Sequence, residues 1–239
     1  MTSDRWTQTV RHQLGLGRLL PLGDARDGAW IAERAAETVL RSAAGDAPGV
    51  RLGALRVTLA DPADFREPAV PAPPSALPPG PLRVTAEAEA TASQPLPTTA
   101  SRLRVTLATA ATERLGLTVA EVDLRVTDLL DEEPEPGPSV PLPEPPRPVR
   151  ADGGDGDTGR VAAAALAVPG VLHLTGTLGH PVHIEELPGD AALPRRHVRL
   201  ELAVAADHRA RDVAREVRTA VRRTLPDHPT VAVLVSAIA

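Results

Sequence analysis

Apolar residues along this chain fall into helical and alternating runs that come twice in the same order. Val213, Val217, Val221 and Leu225 recur every four residues, which is one face of a helix. Leu103, Leu107, Ala111 and Leu115 do the same, each 110 positions earlier. A strand pattern precedes each helix. Leu82, Val84, Ala86, Ala88 and Ala90 alternate with Arg83, Thr85, Glu87 and Glu89, predicting one buried face and one wet face. Its counterpart is Val198, Leu200, Leu202, Val204 and Ala206, read at an offset of 116. A last strand follows each helix, with Val122, Leu124 and Val126 matching Val231, Val233 and Val235 at an offset of 109.

The repeat extends upstream to a shared corner. GDAPGVRLGALRVT, from Gly45, echoes LAVPGVLHLT, from Leu166. Pro48-Gly49-Val50 and Pro169-Gly170-Val171 each end an Ala-rich helix and start a strand, because Pro disfavours helical geometry before it and Gly tolerates the turn. The opening helices are predicted over Asp27–Ala44 and Thr158–Val168, with Asp24 or Asp27 as N-cap of the first. Each unit then reads helix, strand, short strand, strand, helix, strand. The expected class is α+β, as two tandem small domains, each a three- to four-stranded mixed sheet with two helices on one face.

Proline sets the boundaries of this plan. Residues 62–81 carry eight prolines in twenty positions, and PEPGPSVPLPEPPRP runs from Pro134 into ADGGDGDTG. Neither stretch suits a helix interior or a central strand. The division expected is an amphipathic arm over 1–23, a first domain over 24–131 with a Pro-rich insertion at 62–81, a linker over 132–157 and a second domain over 158–239. In the arm, Trp6, Val10 and Leu14 share a helical face, and it either packs on the first domain, hiding Leu16, Leu19 and Leu20, or binds elsewhere.

Composition narrows the chemistry. The 239 residues include no Cys, so disulfides, thiolate catalysis and Cys-ligated metals are excluded. There is no Lys, Asn or Tyr either, and a net charge of −5 gives no general reason to expect DNA or RNA. No apolar run is long enough to span a bilayer, and MTSDRWTQTVRHQ lacks a signal-peptide core. A cytoplasmic protein is expected.

The order of Ala-rich helix, PGV corner, alternating strand, amphipathic helix and closing V-x-V-x-V strand resembles the alkaline shock protein (envelope stress response) domain. The second copy carries the resemblance best, in VAAAALAVPGVLHLTG, RHVRLELAVAADHRARDVAREVRTAVRRTLPD and TVAVLVSAI, and the first copy more loosely. The resemblance covers about 24–130 and 158–239. It implies a non-enzymatic stress-response scaffold acting through protein partners, in some members held at the inner face of the cell membrane by a separate anchor. A tandem copy departs from the common single-domain form.

Catalytic motifs are absent: there is no phosphate loop, no G-x-S-x-G, and Gly15, Gly17 and Gly23 lack dinucleotide-loop spacing. No catalytic residue, cofactor or metal is therefore expected. His173, His180 and His183, with Glu185 and Glu186, raise the alternative of a metal-binding protein or enzyme. Against it, Val182 and Ile184 alternate with His183 and Glu185 as in a strand with a wet face. An RNA-binding α+β module is a further alternative. The sharpest surface feature is Arg211, Arg215, Arg218 and Arg222, which form a basic stripe on the second amphipathic helix. It reads either as a docking face for an acidic partner or anionic membrane surface, or as a solvated face with internal Arg–Glu pairs. Sheet edges in such small units leave homo-oligomers open as well.

Overall fold

The computed structural model describes residues 17–134, 144–150, 156–187 and 195–239. Its elements are β1 (Leu19–Pro21), β2 (Ala29–Ala32), α1 (Glu33–Gly45), β3 (Val50–Leu59), β4 (Leu82–Thr91), α2 (Leu96–Thr109), β5 (Val119–Leu130), α3 (Asp157–Leu166), β6 (Val171–Leu174), β7 (Val182–Leu187), β8 (Arg195–Val204), α4 (Ala210–Thr224) and β9 (Thr230–Ile238). The class is α+β, with helices packed on two mixed sheets. Trp6, Val10, Leu14 and Leu16 of the expected arm, and 135–143 and 151–155 of the expected linker, lie outside the described residues.

Both copies build the same unit. β3 runs antiparallel to β4, and β4 runs parallel to β5 with α2 as the crossover. In the second copy β6 and β7 both lie antiparallel to β8, and β8 is parallel to β9 across α4. Parallel neighbours require such a crossover, so the amphipathic helices are where the topology needs them. The two PGV corners turn at Gly49 (φ +72°) and Gly170 (φ +86°), a region that side-chain-bearing residues rarely adopt. A Cβ on Gly49 would lie 2.6 Å from Thr91 Oγ1, so the corner is also closely packed.

The pairing corrects the alignment of the copies. Val84 pairs with Val122 and Val198 with Val231, so the last strands are 109 apart as read, but β4 and β8 are 114 apart rather than 116. A two-residue error leaves every side chain on its own face, which is why alternation does not reveal it. The alternating pattern misleads in a second way. β8 is buried on both faces, with Leu200, Glu201, Leu202 and Ala203 all out of water. The cause lies on its edge. β3 is continuous but for a bulge between Leu52 and Leu55, whereas β6 and β7 are separated by an excursion over 175–181 that folds back on Glu201.

The opening helix starts later than its apolar run. Residues 29–32 form β2, and α1 begins at Glu33 with no side-chain cap, so neither Asp24 nor Asp27 is an N-cap. Trp30 and Ile31 are instead drawn into the second copy's sheet, where β2 pairs parallel with β9 through Ala29↔Val233 and Ile31↔Val235. β1 pairs antiparallel with β2, so these two strands straddle the expected boundary at residue 24. One sheet is therefore β3-β4-β5. The other is β1-β2-β9-β8, with β6 and β7 sharing the far edge of β8. Its six strands exceed the expected three or four because two come from the first half.

The Pro-rich insertion closes over β1 and β2. Ala69 N donates to Ala25 O at 2.8 Å, Leu77 N to Leu19 O at 2.8 Å, and the Trp30 indole to Leu77 O at 3.3 Å, while Val70 is buried. The described part of the expected linker also docks: Val149 N donates to Leu174 O at 2.9 Å on β6. One apolar cluster runs through both halves, and α1 packs on β3 of one sheet and β9 of the other.

Candidate functional site

The arginine stripe lies where the two halves meet. Gly23 (φ +80°) and Gly28 (φ +56°) bracket a tight turn that presents Asp27 to α4. Asp27 is only 4% exposed. Its Oδ2 accepts from Arg211 Nε at 3.0 Å and lies 2.9 Å from Arg211 Nη2, and its Oδ1 lies 3.0 Å from Arg215 Nε. The Asp24 backbone N–H also donates to Oδ2, at 2.8 Å. Nearby, Arg209 donates twice to Thr112 O, and Gly23 N donates to Gly116 O at 3.1 Å. Arg211 and Arg215 therefore bind the chain to itself through one carboxylate. Neither reading from sequence contained this arrangement, because the carboxylate lies 184 positions from Arg211.

The other two arginines of the stripe differ. Arg218 is half-buried, donates through Nη1 to Arg26 O, and has an Nε that is out of water without a partner among the described residues. Burial, then repulsion from Arg222, holds its guanidinium below the usual arginine value, with Asp27 opposing. Arg222 and Arg26 carry no carboxylate on their guanidinium groups among the described residues. Together Asp24, Arg26, Asp27, Arg215, Arg218 and Arg222 line an open cleft of about 350 Å³.

No family model matches the chain, and no curated protein matches it. The resemblance to the alkaline shock protein domain therefore rests on its motifs alone. The corner residues Pro48, Gly49, Val50, Pro169, Gly170 and Val171 stand at the two helix-to-strand turns, with Val50 opening β3 and Val171 opening β6.

The histidine region does not converge. His173 Nε2 lies 3.3 Å from Pro146 O, and His183 lies 3.8 Å from Glu185 on the exposed side of β7. Among the described residues no three His, Asp or Glu side chains are grouped so as to hold a metal ion. Two buried titratable groups do matter here, and periodicity places neither inside. Glu201 accepts from Thr177 Oγ1 at 2.7 Å and from Leu178 N at 3.0 Å, fixing the 175–181 excursion, and burial pushes its carboxyl up. His197, 2.8 Å from Thr230 Oγ1, is held below its ordinary value by burial, with Glu185 opposing and Arg199 and His183 reinforcing.

These two groups tilt stability in opposite directions. A buried neutral His favours folding above its ordinary pKa of 6.5 and loses that contribution as pH falls through this value. A carboxyl raised above its ordinary 4.5 favours folding at low pH and loses its contribution as pH rises through its folded value. His197→Gln is therefore expected to flatten the acid-side fall of the thermal midpoint, and Glu201→Gln to flatten the fall on raising pH. Melting curves between pH 4.5 and pH 8 check both, and profiles parallel to wild type would contradict the assignment.

Proposed function

We propose that the chain is a non-enzymatic scaffold of the envelope or general stress response that works by assembling with protein partners, the first being a second copy of itself. The stress-response part of this reading rests on the resemblance of the motifs, and the observation that supports assembly is the outer edge of β5. This strand is twelve residues long and pairs with β4 on one side, with no strand on the other among the described residues. Its counterpart β9 is covered on the same side by β2. Arg104 of α2 donates through Nε to Val122 O of β5 at 3.3 Å, a contact that a second strand would displace, and an edge of that length with no strand on it among the described residues is a template for another strand. Val126 and Leu129 on it are 39% and 54% exposed. Antiparallel pairing of two β5 strands about Leu124 would set Asp123 opposite Arg125 of the second copy and Val122 opposite Val126, twice by symmetry. No helix among the described residues is long and apolar enough to cross a membrane; in this reading membrane association comes through a partner.

The test is sedimentation equilibrium of wild type beside Val126→Lys/Leu129→Lys. The expected result is a wild-type dimer and a monomeric variant with an unchanged circular dichroism spectrum. A monomeric wild type, or a variant that dimerises equally well, rejects assembly through β5. Unaltered survival of a deletion strain under envelope stress would count against the stress-response role separately.

A further inference from the structure

We propose that the cleft between the 24–27 turn and the end of α4 binds a phosphate-type oxyanion, either inorganic phosphate or the phosphate of a monoester. Charge is the first reason. Four guanidinium groups, from Arg26, Arg215, Arg218 and Arg222, face two carboxylates in the lining, an excess of two positive charges. The carboxylates are already engaged: both Asp27 oxygens serve Arg211 and Arg215, and Asp24 Oδ1 accepts from Arg26 N at 2.7 Å. A dianion would balance the remaining charge.

Hydrogen bonding is the second reason. Arg26 and Arg222 line the cleft with guanidinium groups that hold no carboxylate among the described residues, so their N–H donors are not committed to an ion pair. Guanidinium forks match the tetrahedral oxygens of phosphate, and several of them lining one cleft favour it over a single carboxylate. Size is the third. About 350 Å³ accommodates a phosphate with a small organic group, at the lower end of small-ligand sites. Arg26 comes from the first half and Arg218 and Arg222 from the second, so the ligand would bridge them and bind only the folded chain.

Titration calorimetry and thermal unfolding of the full chain test this at fixed ionic strength. The probes are inorganic phosphate, glycerol 3-phosphate, and phosphatidylcholine vesicles containing phosphatidic acid, with sodium chloride and acetate as controls. Binding linked to the native state raises the melting temperature in a saturable way. The expected result is saturable binding of a phosphate probe that weakens at least tenfold in Arg222→Gln, an exposed position whose change leaves the fold intact. The arm that binds distinguishes free phosphate, a small ester and a lipid headgroup. Arg26→Gln, which keeps the backbone carbonyl used by Arg218, gives an independent second variant. The proposal is overturned if no phosphate probe binds up to about 10 mM, beyond the range of even a weak single-site ligand. It is equally overturned if binding persists unchanged in both variants, or if chloride at matched ionic strength gives the same stabilisation.

Discussion

Asp27→Ala is expected to destabilise the chain by about 3 kcal/mol, near the lower end of the cost of removing one member of a buried ion pair. The carboxylate is almost wholly buried and neutralises both Arg211 and Arg215. Its removal leaves those cations, with Arg218 and Arg222 beside them, on one helix face against an apolar junction. Arg215 is more than half exposed, so water screens part of the loss and keeps the figure from the upper end. For a chain of this length about 3 kcal/mol corresponds to roughly 6–12 °C in the melting temperature. Asp27→Asn, which retains the acceptor for Asp24 N but not the charge, should fall between. A double-mutant cycle with Arg211→Gln isolates the pair, since residues in one network couple measurably. If Asp27→Ala changes stability no more than an ordinary surface substitution, the junction does not depend on this network.

Local pattern carried much of the fold. The Val213, Val217 and Val221 face is buried as its spacing requires, β4 alternates as read, and both PGV corners turn at a glycine with positive φ. The failures share one cause, which is contact between residues far apart in sequence. Trp30-Ile31-Ala32 precedes an Ala-rich helix without a breaker, and it becomes a strand by pairing with β1 on one side and with β9, some 200 residues on, on the other. Nothing near Asp27 discloses that its partners are arginines on the last helix. Flanking Gly23 and Gly28 are the one local sign of a tight turn. Glu201 sits at an outward position of an alternating strand, yet the 175–181 excursion covers it and supplies its donors. The arginine stripe itself was legible from its spacing. That Arg211 and Arg215 bind Asp27, while Arg215, Arg218 and Arg222 line the cleft, was not, because the sequence specifies the helix face and not what lies against it.

Residues 144–239 produced alone are expected not to form a stable, monomeric fold. In the full chain Val231–Val235 are entirely buried on β9, with β2 on its outer edge and α1 packed against the strand. The fragment would lose both. It would present a nine-residue apolar strand with one side of its backbone unpaired, the arrangement most prone to association between chains. The reciprocal fragment, 17–134, would expose Trp30, Ile31 and the apolar side of β1, all buried in the whole chain. Co-production of the two should restore solubility. Cleavage of the intact protein at a protease site inserted between residues 134 and 144 should yield halves that co-elute on gel filtration and unfold in one transition. Salt should weaken that association only in part, because Asp27 and Arg211 are largely shielded at the junction, although Arg215 is not, and strand pairing does not depend on charge. Halves that separate, stay soluble and melt cooperatively on their own would establish two independent domains, with β2 on β9 as a removable contact.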